Sequence, residues 1–88
     1  MIDATPTLTP GLEVRDVGDE VLVYDRRHDK VHVLNRTAGF VLGLCDGSRS
    51  TPEIANAFRA AYGGDAETVD RDVTAVLTTL ANEQLLAQ

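Results

Sequence analysis

A single cysteine, Cys45, and no tryptophan stand in a chain of 88 residues. One cysteine excludes an internal disulfide, and without a secretory signal pattern it makes a reducing cytoplasm the expected compartment. Aromatic residues reach only 5%: Tyr24, Phe40, Phe58 and Tyr62. That scarcity argues against a stacking platform for bases or sugars. Basic residues are in deficit, 8 against 14 acidic ones, for a formal net charge of −6. Such a surface repels phosphate backbones and anionic lipid, and suits a basic partner or plain solubility. The longest apolar-rich stretch, Ala38 to Cys45, is far too short to span a membrane.

Apolar residues make up 43% of the chain, enough for one small core of valine, leucine, isoleucine and alanine. Residues 1–10, with Pro6 and Pro10, read as an extended and flexible arm, and residues 11–88 as one domain. Leu12 to Arg15 alternates apolar and charged residues, as a half-buried strand does. After a turn at Gly18-Asp19, Val21 to Tyr24 is nearly all apolar and reads as a strand buried on both faces. A charged turn from Asp25 leads to a third strand, Val31 to Leu34. Short connections between three strands mean an antiparallel meander.

The apolar period then becomes helical. Asn35 is placed to cap a helix whose face is Ala38, Val41, Leu42 and Cys45, and Asp46-Gly47 stops it. Ser50-Thr51-Pro52-Glu53 has the form of a capping box, and loss of Ser50 is expected to cost about 1 kcal/mol. Ile54, Ala55, Phe58 and Tyr62 form the apolar face of a second helix that ends at Gly63-Gly64. Val69, Val73, Val76, Leu77 and Leu80 mark a third helix over 66–82. The expected fold is α+β, three strands followed by three helices.

Chemistry-bearing clusters are scarce. His28 and His32 flank a turn and a strand, so their spacing does not bring them together on a metal. Cys45 lies on an apolar helix face, where a buried thiol is expected rather than a nucleophile. Carboxylates such as Glu67, Asp70 and Asp72 fall on the solvated side of the third helix, without a cleft to desolvate them. The glycines do not form a phosphate-cradling loop after a strand. No catalytic residue, cofactor or metal ligand is therefore assigned.

One resemblance organises these features. Val31-His32-Val33-Leu34-Asn35-Arg36-Thr37-Ala38 runs into a helix ending Leu44-Cys45-Asp46-Gly47, then Ser50-Thr51-Pro52-Glu53-Ile54-Ala55, and the chain closes with Leu85-Leu86. This ordered set resembles the PqqD-like family of peptide chaperones, also called RiPP recognition elements, over roughly Leu12 to Leu86. The resemblance implies a winged helix-turn-helix. It implies binding of a precursor's leader peptide as an extra strand beside the third strand, against the third helix, and delivery to a modifying enzyme of radical-SAM type. Carried onto this chain, the peptide site is Lys30, Val31, His32, Val33 and Leu34, with Asp70, Val73, Thr74 and Leu77 opposite. Asp70 and Asp72 would steer basic leader residues.

Three rival readings share these residues. A winged helix on DNA would carry Glu67, Asp70, Asp72 and Glu83 toward phosphate against one Arg71, which is unfavourable. A structural subunit that never touches peptide would be distinguished by its failure to bind free leader. A carrier domain around Asp46-Gly47-Ser48 conflicts with the three strands. Neither nucleic acid nor membrane is expected as a partner, and the open sheet edges allow either a monomer or a strand-exchanged dimer.

Overall fold

The computed structural model describes residues 5–87. Three strands, β1 (Leu12–Val17), β2 (Glu20–Asp25) and β3 (Lys30–Asn35), precede α1 (Arg36–Gly43), α2 (Thr51–Tyr62) and α3 (Ala66–Asn82). The sheet is an antiparallel meander in the order β1-β2-β3. Gly18 and Asp19 alone join Val17 to its partner Glu20, and Gly18 takes the positive φ of 60° that so short a hairpin turn requires.

The helices that follow the sheet cover only one of its faces. Val21, Val23 and Asp25 of β2 point inward and are buried, while Leu22 and Tyr24 are half exposed on the other side. The expectation that β2 is buried on both faces is thus corrected: the outer face, with Val17, Val31 and Val33, is open. The core joins the two inward valines to Val41, Leu42, Ile54, Val69, Val73, Leu77, Leu80 and Leu85.

Local signals fix the helix starts. The Asn35 side chain accepts from the Ala38 amide at 2.8 Å. Ser50 and Glu53 form both halves of the capping box, which also lowers the Glu53 pKa. Asp65 caps α3 through the Thr68 amide at 3.0 Å. Helix α1 ends at Gly43, earlier than the expected stop at Asp46-Gly47. The Cys45 carbonyl instead receives the Leu8 amide at 2.8 Å, so a tertiary bond replaces the last helical turn.

That bond belongs to the N-terminal arm, whose described part is not loose. Thr7 bridges Asp46 and Leu8 bridges Leu86. Gly47 donates to the Pro6 carbonyl at 3.0 Å, Thr9 donates to Leu85 at 3.0 Å, and Ala87 donates to Thr7 at 2.7 Å. Pro6 and Thr9 are buried. The flexible-arm expectation is corrected for this segment, because its backbone satisfies groups that the α1–α2 loop and the C-terminal segment leave unpaired. Residues 1–4 of the expected arm lie outside the described residues.

Candidate functional site

The edge strand β3 and helix α3 frame the site. Among the described residues nothing pairs with the outer edge of β3, so alternate residues present amide and carbonyl groups away from β2. No Cα of β3 comes within 8 Å of a Cα of α3. The two backbones therefore flank a seam, running about 20 Å along the six residues of β3. Its β3 wall is set by register: Lys30, His32 and Leu34 lie opposite Asp25, Val23 and Val21, and so share the inward face. Val31 and Val33 project to the open outer face, 61% and 57% exposed.

At one end of the seam His32 Nδ1 stands 3.5 Å from Glu83 Oε2, just past α3. The His32 Nε2 atom is buried and has no partner among the described residues. At the other end, where β3 becomes α1, a hollow of about 380 Å³ opens between Thr37, Phe58, Asp72 and Val76, floored by Val41 and Val73. Helix α3 thus runs antiparallel to β3.

The α3 residues expected from the sequence are placed differently. Val73 and Leu77 are 1% and 0% exposed, part of the core. Asp70 and Thr74 line a separate hollow with Thr51, Pro52 and Ala55 of α2. The seam wall is the opposite flank of the same apolar stripe: Asp72 and Val76, continued past the helix end by Glu83. Helical spacing separates these flanks, at about 100° per residue, yet does not say which one meets β3. Asp72 stood out in the sequence as an acidic steering residue, whereas Val76 was read as core and Glu83 only as surface charge.

The turn before β3 is anchored rather than free. Asp25, only 1% exposed, accepts from the Arg27 amide at 3.0 Å, from Arg27 Nε and Nη2 at 3.1 and 3.0 Å, and contacts His28 Nδ1 at 2.8 Å. The Arg27 guanidinium, then His28, hold its carboxyl far below the usual carboxylate range. Arg27 Nη2 also donates to the Gln84 carbonyl at 3.0 Å, tying the start of β3 to the end of α3. The seam is therefore fixed in width at one end by a charge-assisted clamp.

Catalytic chemistry finds little footing here. Cys45 is buried, its thiol pushed up to about 11, first by burial and then by the Asp46 charge. Among the described residues no three histidine, cysteine or acidic side chains converge as a metal site, and no helix is long and apolar enough to cross a membrane. What the arrangement offers is an unpaired strand edge beside a partly apolar, acidic wall.

Comparison with known proteins bears on this geometry. The chain is similar to TbiB1, solved in complex with the TbiA(beta) leader peptide, at 26% identity with a TM-score of 0.80 over 91% of this chain and 93% of that one. It shares its fold with lasso peptide synthetase B1, solved with its leader peptide, at 24% identity, TM-score 0.78, covering 97% and 99%. The same fold occurs in the PqqD truncation of Methylobacterium extorquens PqqCD, described as a stand-alone RiPP recognition element, at 22% identity, TM-score 0.79, covering 100% and 96%. No curated protein matches. The family model for coenzyme PQQ synthesis protein D matches residues 20–86, from β2 through Leu86, and the chain belongs to that PqqD family.

Proposed function

We propose that this chain binds the leader segment of a ribosomally made precursor peptide as an added strand along β3, and presents it to a separate modifying enzyme. The observation that carries this reading is the unpaired β3 edge standing across an open seam from α3. An extended peptide there satisfies the free backbone groups through main-chain bonds, while alternate side chains supply selectivity. One set of its side chains enters the seam beside His32, Leu34 and Val76, and the other lies on the open face beside Val31 and Val33. TbiB1, the relative most similar in sequence among those described, was solved with a leader peptide, which supports leader binding by this chain. The chain's part is non-catalytic, and the resemblance in its sequence implies a radical-SAM enzyme as the recipient.

Glu67, Asp70, Asp72 and Glu83 are all exposed on or just past α3, which disfavours a DNA-reading helix. Titration calorimetry of the folded chain with the leader of its precursor tests the proposal. Saturable binding near one to one is expected. Absence of binding, both alone and with the modifying enzyme present, refutes it in favour of a structural subunit.

A further inference from the structure

The opposite edge of the sheet carries a second groove that leader binding does not use. No Cα of any helix lies within 8 Å of β1, so beyond Leu12, which packs on the core, the inward side of that strand overhangs uncovered. Beneath it is a groove of about 390 Å³ lined by Val14, Val21, Gly39, Phe40, Gly43 and Tyr62. Val14 points to the inner face, in register with buried Val23, yet is 47% exposed. Tyr62, 44% exposed, packs edge-on to Phe40 at 5.3 Å and forms the far wall.

Gly43 adds an independent observation. It is the last residue of α1, a helix in which glycine is less favourable than alanine by up to about 1 kcal/mol, and it does not adopt a positive φ. A Cβ built on it meets nothing within 4 Å among the described residues, whose packing therefore does not call for glycine. The bare helix backbone faces the groove, as close approach by another chain requires. The rim is acidic: Asp16, Asp19 and Glu20 stand against Arg36, which pairs with Asp19 at 3.2 Å. Asp16 and Glu20 have no ion-pair partner among the described residues.

We propose that this groove receives a short segment of the modifying enzyme, one with a large apolar or aromatic side chain flanked by lysine or arginine. The identity of the partner rests on the leader-carrying reading. Charge complementarity selects the basic flank, and disfavours a second copy of this acidic chain as occupant. Since β1 and β3 are opposite edges, enzyme and leader can be held at once.

The test is panning of a random library of short peptides, displayed on phage, against the full chain. Affinities of the enriched peptides are then measured on the wild type, G43L, Y62D, V76D and the double variant D16K/E20K. The expected result is one peptide class, aromatic or aliphatic beside Lys or Arg, that G43L weakens by about tenfold or more. D16K/E20K should weaken the same class more at low salt than at high salt. V76D should leave it unchanged within about twofold. Thermal melts establish that G43L is folded, and Y62D tests the same groove from α2. No class sensitive to G43L or Y62D, or a sensitive class without basic residues, overturns the proposal. Failure of the leader reading is separate, since it appears as absent leader binding in calorimetry whatever the groove selects.

Discussion

The same added methyl group should move stability in opposite directions at two glycines of one helix. In Gly39→Ala the new Cβ lands 2.9 Å from Val21 Cβ and closer still to Val21 Cγ2, a distance real Cβ atoms do not sustain. Val21 sits buried on the central strand, with β1 and β3 bonded on either side, so it yields only if the sheet moves off α1. Overpacking of this kind costs about 1–3 kcal/mol. The better helix propensity of alanine returns up to about 1 kcal/mol. Taking overpacking at its mid-range of about 2 kcal/mol, the net expectation is a loss of about 1–2 kcal/mol. In Gly43→Ala the Cβ meets nothing, so only the propensity gain remains, about 0.5–1 kcal/mol. With a urea dependence of roughly 1 kcal/mol per molar for a domain this small, the midpoint falls by about 1–2 M for Gly39→Ala and rises by about 0.5–1 M for Gly43→Ala. Urea unfolding followed by circular dichroism reads both. A Val21→Ala background removes the two γ-methyls but keeps the 2.9 Å Cβ contact, so there the cost of Gly39→Ala should shrink. If Gly39→Ala is as stable as wild type, or Val21→Ala leaves its cost undiminished, the close packing of β2 on α1 is refuted.

Three further outcomes test the site and its supports. Val76→Asp should weaken leader binding by about tenfold or more, and Asp72→Lys should alter it in a salt-dependent way. Asp70→Lys, facing α2, should change affinity by no more than about twofold in calorimetry, and equal effects at Asp70 and Asp72 would sink the assignment of the seam wall. Native Cys45 should resist alkylation at mildly alkaline pH, because its protonated thiol is buried; the labelling rate should rise with denaturant, and fast labelling without denaturant contradicts the packing. The depressed pKa of Asp25 contributes stability that is fully present above the ordinary value of 3.8 and is lost as pH falls below it. Asp25→Asn should therefore flatten the acid side of the pH–stability profile below about pH 4, and an unchanged slope in acid denaturation would remove Asp25 from that role.

Much of the fold was legible in local pattern. The limits of α3 at Ala66 and Asn82, the capping box at Ser50 and Glu53, and the Asn35 cap follow from spacing and short-range hydrogen bonds. Asp25 was not legible: beside Arg26, Arg27 and His28 it reads as a solvated turn, and only the return of the chain to Gln84 encloses it. The two-sided burial read from Val21 to Tyr24 failed for a related reason, since hydrophobicity does not reveal on which side later helices will lie. That β3 is an edge strand was legible, because the short β-turns force it to the outside of the meander. Of the α3 residues named from the stripe, Val73 and Leu77 fall in the core and Asp70 and Thr74 on the flank facing α2, a distinction that periodicity alone does not draw.

The arm that stitches Thr7 to Ala87 sets the two ends of the described chain side by side, within one backbone hydrogen bond of 2.7 Å. Topologically the domain is almost a closed ring. A few linking residues should join its ends, and the exposed Gly63-Gly64 turn between α2 and α3 offers a place to reopen it. Such a permuted chain keeps every strand, the clamp at Asp25 and both edges of the sheet, while moving its free ends to the helical side. The same adjacency lets the whole unit be spliced into a loop of another protein, entering and leaving at one point.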